Sequence, residues 1–392
     1  MSELLKKIRM RTWAEIDLDN LEYNFNILKT TVGKTAKLCC VVKADGYGHS
    51  APIIAKLLEG LGCDYLAVSN IEEALQLRKN GISLPILILG YTPAECAETL
   101  AKNNITQCVY SYDYGINLAE NAKSCGVRVK IHIKLDTGMG RIGFICRDND
   151  TKELDLAISI AKNEQFICEG LFTHFAMADE SNGNEYTSKQ FSQFSGGINY
   201  FEENGVHFDI CHCANSAAAL KFPEYRMDMV RIGLALYGLT SFDLEAPKLK
   251  PVMCLKSVVS HIKVLNAGES VSYGRRFTAN KDMRVATVPV GYADGFMRST
   301  SKSDYTLKIG DKSAKILGSI CMDQLVLDAS DIECKVGDTV TIFDGSTPHT
   351  ATDLARANDT IPYEILCSVG KRVPRAFVRN SKIIDWSDDI YE

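Results

Sequence analysis

The chain has 392 residues, 46% of them hydrophobic, enough for two or three domains with sizeable cores and too apolar for wholesale disorder. Its 44 basic and 49 acidic residues leave a net charge of −5 without a long Lys/Arg run, which argues against a nucleic-acid binder. No stretch approaches the roughly 20 apolar residues of a membrane helix. The N-terminus MSELLKKIRMRTW lacks the apolar core of a secretory signal, and 14 cysteines without a C-x-x-C pair read as reduced thiols of a cytoplasmic protein.

Strand-like runs follow one another at 13–18 (WAEIDL), 37–44, 65–70, 85–90, 106–110, 129–136, 166–175, 210–216 and 229–238. Several are apolar on both faces, as parallel strands covered by helices are. Helical patterns lie between them. Asp19 or Asn20 is expected to cap a helix carrying Leu21, Phe25 and Leu28, and His49–Gly60, Ile71–Asn80 and Pro93–Lys102 follow suit. About eight β–α units in roughly 240 residues favour a (β/α)8 barrel over an open doubly wound sheet. After Pro247 the runs turn rich in Val, Ile and Thr with turn residues between them, which predicts a mainly β second domain from 246 to 392, with a short helix at Ala351–Ala357. Gly138-Met-Gly140-Arg-Ile-Gly143 fits a dinucleotide-binding pattern, but a polar loop follows where a helix should begin, so that reading is set aside.

Functional residues of a barrel gather where strands end. Lys43, Lys134, Asp136, Arg141, His174, Asn215, Ser216 and Arg231 all stand at or near such ends. Four apolar residues, Cys39 to Val42, precede Lys43, so its stem leaves a buried strand. A desolvated amine beside other cations has a lowered pKa and attacks carbonyls, as a Schiff base to pyridoxal phosphate requires. An ordinary exposed lysine is the competing reading. Cys211-His212-Cys213 is no metal site, because His212 faces opposite to both cysteines in a strand.

Val41–His49 (VVKADGYGH) resembles the cofactor-attachment motif of alanine racemases. KLDTGMGRIGF (134–144), FTHFA (172–176), HCANSA (212–217), MVRIGLALYGL (229–239), VSYGRRFTA (271–279), GYADG (291–295), GSICMDQ (318–324), PYE (362–364) and RVPR (372–375) resemble that family in its own order. The resemblance implies a barrel over 12–245, a β domain over 246–392 joined by residues 1–11, and L-alanine/D-alanine interconversion by two-base proton transfer on a pyridoxal-phosphate adduct, supplying D-alanine for peptidoglycan. It implies a homodimer in which Tyr273 faces Lys43 of the other subunit as the second base, with Met322 and Asp323 on the substrate side. Arg231 would contact the pyridine nitrogen and, being always charged, leave that nitrogen unprotonated. His174 would support Arg231. Tyr47, Ser216, Tyr363 and the amides of Gly233 and Leu234 would hold the phosphate. Arg141 would meet the substrate carboxylate beside a Lys134 that many members carry as a carbamate. Tyr292 and Tyr363 would narrow the entrance. Ser50 and Arg276 depart from the usual pattern. A serine or broader racemase, a decarboxylase of the same architecture, a non-enzymatic pyridoxal-phosphate carrier and a cofactor-free structural protein are the other readings.

Overall fold

The computed structural model describes residues 11–147, 151–242 and 248–387. After β1 (Thr12–Asp17), the strands β2 (Lys37–Val41), β3 (Tyr65–Val68), β4 (Ile86–Ile88), β5 (Ile105–Val109) and β6 (Val129–Asp136) pair in parallel order. A two-residue strand, β7 (Phe144–Ile145), sits on β6, and β8 (Phe166–Phe172), β9 (Ile210–His212) and β10 (Met229–Ile232) complete the ring. β10 returns to β2, while Arg231 N–H donates to Ala214 O at 3.0 Å across the remaining β9/β10 seam. The result is an eight-stranded parallel barrel, as expected. Its strands are buried on both faces because helices cover them outside and side chains fill them inside.

The first strand differs from expectation. WAEIDL stands outside the barrel, pairing antiparallel with β11 (Met253–Val258) and parallel with β20 (Arg375–Arg379). Its alternation specifies a strand but not which sheet receives it. The helix that follows, Leu18–Val32, buries Leu21, Phe25 and Leu28 as predicted, but its cap is Asp17, whose Oδ1 accepts the Asn20 N–H at 2.9 Å. The strand runs straight into the helix, so the cap falls earlier than Asp19 or Asn20.

The second domain is mainly β. The strands β12 (His261–Leu265), β13 (Ser270–Val271), β14 (Phe277–Thr278), β15 (Met283–Val288), β16 (Thr306–Ile309), β17 (Lys312–Leu317), β18 (Leu325–Asp328), β19 (Thr339–Phe343) and β21 (Lys382–Ser387) join those above. Ten of them form one sheet in the order β12-β15-β18-β17-β16-β19-β11-β1-β20-β21, and β13 and β14 form a separate hairpin. The expected boundary near 245 and residues 1–10 lie outside the described residues. Arg11 donates to Pro289 O and to Asp294, both in the second domain. The helix Ala351–Ala357 forms as predicted, capped by Thr350 and Asp353 reciprocally. No disulfide joins any of the 14 cysteines.

Candidate active site

A cavity of about 630 Å³ opens at the C-terminal ends of the barrel strands. A second, of about 650 Å³, lies at the opposite end among Lys37, Asp64, Asp209 and Asp228, where strands begin. Only the first holds the predicted groups, in keeping with where barrels place their chemistry. Lys43, Tyr47, Lys134, Arg141 and His174 line it from β2, β6 and β8, and Ser216, Arg231, Gly233 and Leu234 from β9 and β10. Tyr363 enters from the β domain.

Lys43 opens a left-handed turn. Ala44, Asp45, Gly46 and Tyr47 have φ between +51° and +63°, a conformation costly for residues with a Cβ. The surroundings over-determine it. Asp45 Oδ1 accepts the Ala51 N–H at 2.7 Å, Glu73 Oε1 accepts the Ala44 N–H at 2.6 Å, and His49 Nδ1 lies 2.9 Å from both Gly46 O and Tyr47 O. The turn aims the Lys43 amine into the cavity mouth. Burial lowers its pKa, and the Arg141 cation lowers it further.

Arg231 is buried on β10 and held from several sides. Its Nη1 donates to His212 Nδ1 at 2.6 Å, and its Nη2 donates to Thr173 O, Cys213 O and His174 Nδ1 at 2.8, 3.0 and 3.2 Å. His174 and His212 are kept neutral, by burial first and then by the Arg231 charge, so each can accept through Nδ1. The Phe172 ring faces both Arg231, at 5.4 Å, and the Lys134 ammonium, at 4.7 Å. Burial pushes the Lys134 amine down to about 8, with Arg231 and Arg141 adding to the shift.

Beside this cationic wall is a corner of hydroxyls. Ser216 Oγ accepts the Gly233 N–H at 2.9 Å, while Asn215, not Ser216, caps the short helix Ser216–Lys221. A Cβ on Gly233 would lie 2.7 Å from the Tyr47 hydroxyl, so glycine there lets that phenol approach the backbone. Tyr47 packs 4.9 Å from Tyr237 and 5.8 Å from Tyr363, and burial pushes the Tyr363 phenol up to about 12. Every polar group in this corner is neutral and able to donate, which suits an anion such as a phosphate.

Four predicted residues stand elsewhere in the chain. Tyr273 follows β13 and is 71% exposed, and Tyr292 and Met322 are exposed as well. The backbone ties them into one patch. Tyr292 N–H and Ala293 N–H donate to Cys321 O and Met322 O, Ser319 Oγ donates to Tyr273 O, and Arg372 bridges Asp323 to the buried Asp294. The loop Gly138–Gly143 starts no helix. Asp136 Oδ1 accepts its Gly138 and Gly140 amides, and the chain continues into β7.

Sequence reasoning missed His132, Glu169 and Asp294, and considered His212 only as a metal ligand, not as the partner of Arg231. One signal was available: in VKIHIKLD, His132 and Lys134 are two apart and so share the inward face. Asp294 lies in the GYADG motif, where no role was assigned to it, and for Glu169 no local pattern exists.

The chain matches the family models described as Alanine racemase, N-terminal domain, over residues 16–241, and Alanine racemase, C-terminal domain, over 252–377. Alanine racemase 1 of Clostridium acetobutylicum is 42% identical over 378 residues, 95% of this chain and 96% of that protein. The solved alanine racemase of Clostridium difficile 630 superposes with a TM-score of 0.93 at 42% identity, covering 98% of this chain and all of the other. A structure from the same organism in complex with cycloserine gives 0.90 at 40% identity, covering 97% and 99%. Two domain matches in order, full-length identity and a matching fold around this cavity place the chain in the alanine racemase family.

Proposed function

We propose that this protein interconverts L- and D-alanine with pyridoxal phosphate. The observation that carries the reading is the meeting, in one cavity, of the pKa-lowered Lys43 amine with the buried Arg231 guanidinium. The residues present fit the cofactor. Lys43 would hold its aldehyde, the Tyr47–Ser216–Gly233–Leu234–Tyr363 corner its phosphate, and Arg231, backed by His174, its ring nitrogen. When bound, the cofactor supplies an electron sink that acidifies the substrate Cα–H.

Lys43 then takes or returns the proton on one face of Cα, an exchange that its lowered pKa favours. Tyr273 of the partner subunit does the same on the other face, in a homodimer whose β domain, with Met322 and Asp323, covers the neighbouring barrel mouth. The exposure of Tyr273, Tyr292 and Met322 in the single chain supports that arrangement. Arg141 orients the substrate carboxylate. A carbamate on Lys134 would turn a cation disfavoured beside Arg141 into an anionic partner. Tyr292 and Tyr363 narrow the entrance, and D-alanine for peptidoglycan, made in the cytoplasm, is the product's use.

The test is the rate of L-to-D interconversion for alanine, serine and lysine. Alanine is expected to react fastest. Lys43→Ala is expected to lose activity and cofactor fixation by borohydride, whereas Tyr273→Phe keeps the fixation but loses racemisation. Equal rates for serine would redirect the reading to a broader racemase.

A further inference from the structure

A file of polar groups, buried except for the partly exposed Glu169 at its far end, runs from Arg231 down the inside of the barrel, away from the cavity. Arg231 Nη1 lies 2.6 Å from His212 Nδ1, His212 Nε2 lies 2.9 Å from His132 Nδ1, and His132 Nε2 lies 3.1 Å from Glu169 Oε2. The same Glu169 oxygen accepts the Tyr65 hydroxyl at 2.8 Å. Both imidazoles are fully buried.

The ends of this file have opposite chemistry. A guanidinium can only donate and a carboxylate can only accept. One arrangement of protons therefore satisfies every link: His212 and His132 both neutral, each with Nδ1 bare and Nε2 protonated. Any other tautomer, or an added proton on either ring, sets two donors face to face in a dry interior, where an unmade hydrogen bond is costly.

The backbone is shaped to make these contacts. Ile131 pairs with Cys168 and His132 with Gly170, so Glu169 is an extra residue in β8. Strict alternation with the inward Phe172 would turn Glu169 toward the outer helices; the bulge re-aims it at His132. Gly170 makes room, since a Cβ there would lie 2.7 Å from the His132 ring. Phe172 stacks on His212 at 4.8 Å with a 4° interplanar angle and holds that ring flat.

We propose that Glu169 and His132 are positioning residues for Arg231: the carboxylate sets the tautomer of His132, which sets that of His212, which presents a bare Nδ1 to the guanidinium. This rests on the reading above in which Arg231 faces the cofactor ring. The link would keep the Arg231 charge in place from far outside the cavity.

The test combines ring tautomers by ¹⁵N NMR of histidine-labelled holoenzyme with steady-state kinetics. In the wild type, both rings are expected neutral with Nε2 protonated. Glu169→Leu, which removes the acceptor, is expected to mix the tautomers and lower kcat about tenfold with KM little changed, the scale seen for outer partners of functional imidazoles. Glu169→Gln keeps a carbonyl acceptor and is expected to recover both. A wild-type ring protonated on Nδ1 would overturn the proposal, as would Glu169→Leu with unaltered tautomers and kcat. If Glu169→Leu does not fold, the wild-type tautomers and the Glu169→Gln kinetics still decide. Lack of racemisation in the wild type would overturn the functional reading alone, because the tautomers still test the file.

Discussion

At the scale of single residues, burial sets the charge states around the cavity. Lys134 titrates near 8 in the folded chain, against about 10.4 unfolded. Between those values the unfolded chain holds a proton that the folded chain has lost, so stability rises with pH across that window. For the bare amine the cost of burial, of order 3 kcal/mol, is fully felt below pH 8 and gone above 10.4. Thermal melts in carbon-dioxide-free buffer should therefore show Lys134→Met more stable than the wild type at pH 7, with the difference closing toward pH 10. Bicarbonate should stabilise the wild type and leave Lys134→Met unmoved; an equal effect on both would refute the carbamate. Burial lowers the Arg231 pKa as well, but its guanidinium, unlike the Lys134 amine, is ringed by acceptors. Arg231→Met leaves His212, His174 and two carbonyls without a donor and should cost about 3 kcal/mol in urea unfolding.

At the scale of elements, the left-handed turn at Lys43 depends on a helix of the other domain. Helix Pro362–Ser368 packs on the turn, and a Cβ at Gly48, where φ is +80°, would lie 2.6 Å from Leu366 O. Gly48→Ala should destabilise the protein by about 1–3 kcal/mol and, by displacing Tyr363, weaken cofactor retention measured by absorbance after gel filtration. Unchanged retention would mean that the helix and turn are not coupled. Local patterns read some elements well. The Leu21/Phe25/Leu28 spacing and the Ala351–Ala357 helix were legible because period and turn residues are local properties. The membership of WAEIDL was not, because β1 finds its partners more than 200 residues away.

At the scale of the whole molecule, one chain does not line the cavity with all the groups that the proposed chemistry needs. Lys43 stands in it, and Tyr273 stands exposed on the β domain. If two copies exchange these groups about a two-fold axis, mixing Lys43→Ala with Tyr273→Phe protein should restore activity that neither has alone. Random re-pairing gives half heterodimers, each with one intact site, so recovery should approach roughly one quarter of the wild-type rate. No recovery after verified subunit exchange would put both bases in one chain.

The sequence by itself determined the parallel barrel, the mainly β second domain and most of the cavity lining. The two domains and Lys43, Lys134, Arg141, His174, Ser216 and Arg231 follow from hydrophobic period and from reactive residues at strand ends, which neighbours along the chain encode, whereas Tyr47, Gly233, Leu234 and Tyr363 follow from the resemblance of their motifs. Only the tertiary structure decided that β1 leaves the barrel and that Glu169 turns inward to meet His132 and Tyr65. These depend on register, on a bulge and on glycines sized to residues far away in sequence, and such long-range fits leave no periodic trace in the chain that carries them.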